Sequence, residues 1–200
     1  RYKTYHSEAN WSSWKLKKMN KIVIATNNEK KLNEIVTILE NLNIEAIPQS
    51  YFKIGESEEP FNTFIENALI KARYASKKTG LPAIADDSGL CVDILKGEPG
   101  IHSARFSGLP KSDENNNLKL LEVLKDKHIR KAHYYCAIVF IKSTDDPQPI
   151  IAEGLWQGEI LEIPRGKNGF GYDPLFLDYK TNLSAAELST EIKNKISHRS

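Results

Sequence analysis

The feature that most constrains this chain is a unit that begins at Lys21. Lys21-Ile22-Val23-Ile24-Ala25-Thr26 is a run of β-branched residues, the pattern of a short buried strand. A polar turn, Asn27-Asn28-Glu29-Lys30, comes next. A helix then places Leu32, Ile35, Val36, Leu39 and Leu42 on one face at i, i+3, i+4, i+7 spacing. Strand, loop and helix in that order point to an α/β layer, with the loop at a strand end where ligand sites collect.

The remaining chain mixes both periods. A second short strand is expected at 44–47, then an acidic loop, Glu56-Ser57-Glu58-Glu59-Pro60. A helix over 61–78 would place Phe64, Ala68, Ala72 and Ala75 on one face and end at Gly80. Residues 82–85 read as a strand that stops at Asp86-Asp87-Ser88-Gly89, and 90–95 as a further strand with period two. Residues 97–110 are rich in Gly, Pro and Ser and read as loop. A helix over 112–127 would turn Leu118, Leu121 and Leu124 inward. Residues 133–142 are strand-like. Residues 150–156 and 159–163 suggest a hairpin across Gln157-Gly158. A short strand is expected at 175–177 and a helix at 184–195. The expected fold is an α/β structure, an elongated mixed sheet with helices on its faces.

Composition excludes more than it selects. The net charge of +2 is too small, and too evenly spread, to argue for a nucleic-acid surface. Cys91 and Cys136 lie in apolar runs away from metal-ligand spacing, so they read as buried free thiols suited to a reducing cytosol. No stretch reaches about eighteen consecutive apolar residues, and no apolar segment follows the basic residues at the start. The expected setting is cytoplasmic, with no membrane and no nucleic-acid partner. Residues 1–18 are polar, show no clean periodicity and precede Met19, the single methionine. They read as an extension outside a domain spanning 19–200.

Five constellations could carry chemistry. Thr26, Asn27, Asn28, Glu29, Lys30 and Lys31 stand at a helix start, where unpaired N–H groups and the dipole favour phosphate. The glycines of a Walker A loop are missing. Asp86 and Asp87 suit a hard cation that bridges phosphates, and a carboxylate there can act as base toward water. Successive strand side chains point oppositely, so one of the two should face the site. Glu56, Glu58 and Glu59 could add a metal carboxylate. Gly169-Phe170-Gly171-Tyr172-Asp173-Pro174 offers close backbone approach and rings for stacking on a base. Lys193 with Ser197-His198-Arg199 supplies donors, Arg199 as a planar fork.

In this order the blocks closely resemble one family, the inosine/xanthosine triphosphate pyrophosphatases of bacterial type, which clear non-standard purine nucleotides. The resemblance runs from about Lys21 to Arg199. It is carried above all by Ala85-Asp86-Asp87-Ser88-Gly89-Leu90 and by Gly97-Glu98-Pro99-Gly100-Ile101-His102-Ser103-Ala104-Arg105-Phe106-Ser107-Gly108. Phe64 to Ala68, Gly169 to Pro174 and Ser197 to Arg199 support it.

The resemblance implies two lobes around a central nucleotide cleft, Mg²⁺ dependence and a homodimer. It implies hydrolysis of ITP, dITP and XTP to monophosphate and pyrophosphate. Thr26 to Lys31 would hold the triphosphate, with Lys31 the key lysine. Asp87 would be catalytic base and metal ligand, with Glu58 or Glu59 as second metal carboxylate. Ser88, Phe170, Gly171, Tyr172, Asp173, Lys193, His198 and Arg199 would contact substrate, His198 and Arg199 near the purine edge. Family members commonly carry glycine where Asn27 and Lys30 stand, and continue past Ser-His-Arg into another helix. An alternative expectation is therefore a nucleotide-binding protein with impaired catalysis. A pyrophosphatase with another preference, such as a modified pyrimidine, is a third.

Overall fold

A computed structural model describes residues 21–39 and 44–199; the extension at 1–18, Leu42 and Ser200 lie outside the described residues. One six-stranded mixed sheet organises the chain. Its strands are β1 (Lys21–Ile24), β2 (Glu45–Pro48), β3 (Ala83–Val92), β4 (Lys131–Ile141), β5 (Ile150–Ile160) and β6 (Phe176–Asp178), in the order β2-β1-β3-β4-β5-β6. The β1 strand pairs in parallel with β2 and β3, and the remaining pairs are antiparallel. The helices are α1 (Glu29–Leu39), α2 (Phe64–Thr79), α3 (Asp113–Val123) and α4 (Thr190–Ile196).

The apolar periodicities explain the packing. Ala68, Ala72 and Ala75 of α2 are fully buried against Val23, Ala85, Ala137 and Val139 on one sheet face. Alanine lets the helix approach closely, and the Thr63 side chain caps its N-terminus by accepting from Glu66 N at 3.3 Å. Gly80 ends it with φ of 70°. Ile35 and Leu39 of α1 cover Ile22, Ile24 and Ile84 on the opposite face. A larger cluster at the other end of the sheet joins Leu90, Val92, Tyr134, Trp156, Phe176, Leu120 and Leu124. Each fully buried large side chain contributes about 1.5–3 kcal/mol. The apolar clusters thus divide between the two ends of β3, and residues 86–89 lie where they meet.

Several expectations need correction. The strand does not stop at Asp86-Asp87-Ser88-Gly89: β3 runs unbroken through it to Val92, pairing Asp86 with Ile138 and Asp87 with Ala137, and Asp93–Leu95 form a 3-10 turn. Gln157-Gly158 is not a hairpin either, since β5 is continuous. Gly158 serves close approach instead, because a Cβ there would lie 2.1 Å from the Leu177 carbonyl oxygen. Leu118 is 59% exposed; α3 buries Asn116 and Leu120 instead, with Leu124 just past its end. The helix expected at 184–195 is only α4. Ahead of it the backbone is committed to neighbours, Ala185 N donating to Phe176 O and Lys167 N to Ala186 O. Loop 97–110 contains a 3-10 segment, Gly100–Arg105. Cys136 is buried but Cys91 only partly; neither forms a disulfide, and burial pushes their thiols up to about 12 and about 11.

Candidate active site

The polar loop after β1 is shaped by its own side chains. Thr26 Oγ1 accepts from Asn28 N at 3.1 Å, and Asn28 Oδ1 accepts from Lys30 N and Lys31 N at 3.0 and 3.2 Å. Asn28 thereby caps α1. Asn27 and Lys30 do not adopt positive φ, so the residues standing in place of glycine sit in ordinary backbone. Thr26, Asn27, Asn28 and Lys31 line a cavity of about 110 Å³ together with Gln49, Lys71, Asp87, Arg105 and Lys111. Glu29 and Lys30 lie outside it. The Lys30 ammonium instead donates to Gly169 O at 3.2 Å and sits 5.4 Å from the centre of the Phe170 ring.

The neighbouring aspartates have opposite environments, as strand alternation requires. Asp86 is fully buried and meets cations. Lys31 Nζ lies 3.1 Å from Oδ2, and Arg199 donates to the same oxygen from Nε at 3.2 Å and Nη2 at 3.1 Å. Burial alone would raise its pKa, but Lys31, Arg199 and Lys71 hold it far below the usual carboxylate range. Asp87 lines the cavity. Its Oδ1 accepts from Lys71 Nζ at 2.7 Å, while Oδ2 is buried without a partner. Burial raises its pKa despite Lys71. Each aspartate keeps one buried oxygen without a partner, Oδ1 of Asp86 and Oδ2 of Asp87, but only Asp87 lines the cavity; Asp86 is a charged anchor behind it.

Lys71 also contacts Glu59 Oε1 at 2.7 Å and the Asp86 carbonyl at 3.1 Å. One ammonium thus bridges Asp87 and Glu59, whose oxygens cannot be further apart than twice that 2.7 Å. Burial pushes the Glu59 carboxyl up, but Lys71 and Arg105 outweigh it, and the net shift is downward. Glu58 is exposed and does not line the cavity, so of the two candidates Glu59 is the one beside Asp87. Among the described residues, no group of three or more His, Cys, Asp or Glu could enclose a metal. Two carboxylates and an orphaned oxygen do suit a hard cation that takes its other ligands from water and phosphate.

A second cavity, also about 110 Å³, shares Asn28, Lys31, Ser88 and Ala104 with the first. Phe170, Gly171, Tyr172, Asp173, Lys193, His198 and Arg199 all line it. Phe170 carries the Lys193 ammonium 4.6 Å from its ring centre. Tyr172 is nearly buried, its hydroxyl donating to Ser103 O at 2.9 Å, so it forms wall rather than a free stacking ring. Asp173 builds the loop by accepting from Phe170 N at 2.9 Å and from Lys193 Nζ at 2.7 Å. His198 is stacked on Tyr134 with ring centres 4.8 Å apart. Burial, then Arg199 and Lys193, lower its pKa well below the ordinary value, so the ring is neutral. The Arg199 fork is already engaged: Asp86 and Ser88 accept from it, and Glu34 accepts at 2.7 Å.

Sequence reasoning missed Lys71, Arg105, Lys111, Gln49, Tyr134 and Glu34. Lys71 had one available signal, a lysine next to Ala72 on an otherwise small-residue helix face. Arg105 stood inside the 97–108 block without a role. The others follow only from tertiary contact.

A dITP/XTP pyrophosphatase from Nitrosomonas europaea is 56% identical over 181 residues, covering 90% of this chain and 89% of its own length. Another, from Aromatoleum aromaticum, is 53% identical, covering 90% of each. The solved structure of a HAM1 protein from Coxiella burnetii superposes with a TM-score of 0.84 at 47% identity, covering 90% of this chain and 92% of its own. The Ham1 protein from Staphylococcus aureus gives 0.80 at 42% identity, covering 90% and 92%. With the Ham1 family profile matching residues 22–200, the chain belongs to the Ham1 family.

Proposed function

We propose that this protein hydrolyses the non-standard purine nucleoside triphosphates ITP, dITP and XTP to the monophosphate and pyrophosphate. The observation that carries the reading is the junction of two cavities. One is cationic and holds Asp87 with its unpartnered oxygen; the other is aromatic and ends in Lys193, His198 and Arg199. Relatives named as dITP/XTP pyrophosphatases support it.

In this reading the triphosphate lies over the start of α1, among Thr26, Asn27, Asn28 and Lys31. Asp87 and Glu59 would hold a divalent cation, which we assign as Mg²⁺ and which would supply charge neutralisation at phosphoryl oxygens. Asp87 orients a water and takes its proton as the oxygen attacks the α-phosphorus. The α–β bridging P–O bond breaks, and pyrophosphate leaves. Lys71 keeps Asp87 in place. Its own pKa is lowered by burial but raised more by Asp87, Asp86 and Glu59, so it stays charged. Asp86 positions Lys31 and Arg199 without touching substrate. Most of the catalysis is positioning and charge stabilisation.

The base enters beside Phe170 and Tyr134, toward Lys193 and Arg199. A 6-keto oxygen accepts from such donors. The 6-amino group of adenine opposes them and is rejected. The protein works as a homodimer in the cytoplasm, which sedimentation and cell fractionation would check. Among the described residues no helix is long and apolar enough to cross a membrane.

The test is a panel of triphosphates with and without Mg²⁺, following pyrophosphate. Inosine and xanthosine triphosphates should turn over far faster than ATP, and only with metal. Asp87→Asn should lower kcat by about 10²-fold or more while nucleotide still binds. Equal turnover across the panel, or undiminished kcat in the variant, refutes the reading.

A further inference from the structure

Arg105 lines the cationic cavity but is not free to act there. Its Nη1 donates to Glu59 Oε2 at 3.2 Å, and Glu59 is the guanidinium's single partner among the described residues. Both side chains are about a third exposed, 30% and 29%. A pair of that exposure contributes little stability and opens easily. The backbone beneath it is fixed. Asn116 of α3 accepts from Ser107 N at 2.8 Å and donates to Ala104 O at 3.2 Å, on either side of Arg105. The pattern repeats at the rim, where Lys111 lies 3.4 Å from Glu56. Two acidic residues of one segment therefore each cover a cation of another, above the same cavity.

Lys71 contrasts with Arg105. It is shared by Asp87, Glu59 and the Asp86 carbonyl and is 14% exposed, so losing one partner leaves it held. Arg105 loses its only carboxylate whenever Glu59 turns to a cation. A planar guanidinium beside an arriving polyphosphate then has an acceptor of matching geometry.

We propose that Arg105 is a phosphate-binding residue held in reserve by Glu59. When Glu59 takes the metal, the guanidinium turns to the phosphates that leave as pyrophosphate. The exchange makes and breaks no covalent bond. It also orders events: phosphate affinity at Arg105 appears only with metal present. The inference rests on the cavity's being the triphosphate site.

The test is calorimetric binding of inorganic pyrophosphate to the full chain, with and without Mg²⁺, with inosine monophosphate as the control ligand. R105A should weaken pyrophosphate binding in Mg²⁺ by about tenfold to a hundredfold, the loss of one or two charge-assisted hydrogen bonds. Inosine monophosphate affinity should not move. E59Q should tighten metal-free pyrophosphate by about tenfold, and E59Q/R105A should lose that gain. Wild-type pyrophosphate affinity in R105A overturns the proposal. So does an E59Q gain that survives removal of Arg105, since general charge would then account for it. If wild-type protein binds no pyrophosphate under any condition, the cavity assignment itself falls. Should R105A fail to fold by circular dichroism, R105Q, which keeps the side-chain stem length closer, carries the same comparison.

Discussion

Asp86→Asn is the most demanding perturbation, because it separates the roles of two adjacent carboxylates. The Asp86 side chain is 0% exposed, and its partners Lys31 and Arg199 are 17% and 4% exposed. Removing its charge leaves both cations in a weakly screened interior, and the amide sets donors against donors. Breaking a buried pair costs about 3–5 kcal/mol. Arg199 keeps Glu34 at 2.7 Å, and Lys31 is partly solvated, so the low end applies, about 3 kcal/mol. For a chain of this size that lowers Tm by roughly 6–12 °C. Calorimetry at pH 7 measures it, with Asp87→Asn as control. Asp87 has a raised pKa, so the folded state already disfavours its charge; its neutralisation should change stability by less than about 1 kcal/mol. The pH dependence adds a second check. The folded pKa of Asp86 is depressed, so its stabilisation is present above the unfolded value of 3.8 and is lost as pH falls toward the folded pKa. The gap between wild type and Asp86→Asn must therefore begin to close below pH 3.8. A variant that melts within about 2 °C of wild type at pH 7 would refute the anchor role.

Three further outcomes follow from the same geometry. His198 is buried neutral with a depressed pKa, so its stabilisation is complete above its ordinary value of 6.5 and lost as pH falls below it. Wild type should lose about 1.4 kcal/mol per pH unit there, and His198→Phe should flatten that limb in urea titrations followed from pH 7 to 5. Gly154→Ala would place a Cβ 2.0 Å from the His198 carbonyl oxygen, so it should raise KM for inosine triphosphate more than it lowers kcat. An unchanged KM would show that the strand does not seat the terminal segment. Lys71→Met should cost catalysis more than folding: it unpairs Asp87 and Glu59 at a cavity wall where water can reach, so kcat should fall at least tenfold while the fold persists by circular dichroism.

Much of the fold was legible because it rests on local period. The face Ala68, Ala72, Ala75 and the cap at Gly80 are properties of one helix, and the run Ile22 to Ile24 could only be buried. What misled was chemistry with two uses. Asp-Asp-Ser-Gly and Gln-Gly have turn composition, yet both lie inside strands. At Gly89 a Cβ would meet the Gly100 carbonyl at 2.2 Å, and at Gly158 the Leu177 carbonyl at 2.1 Å. Each glycine makes room for a neighbouring backbone that no local window contains. The misjudged Leu118 has the same origin, since the buried face of α3 is set by Asn116 holding loop 103–107, not by leucine spacing alone.

The site divides in the same way. Sequence by itself determined the order and identity of the polar loop after β1, the aspartate pair, the aromatic loop and the terminal Ser-His-Arg, because these are covalent facts. It also determined that Asp86 and Asp87 must face opposite ways, from strand alternation. Tertiary structure decided which aspartate is held by Lys31 and Arg199 and which lines the cavity. It set Arg199 against Asp86 across 113 positions, Lys71 against Asp87 across 16, and Arg105 against Glu59 across 46. Those pairings depend on sheet register and helix docking. The burial that raises the pKa of one carboxylate, and the cations that depress its neighbour's, exist only once the layers have packed.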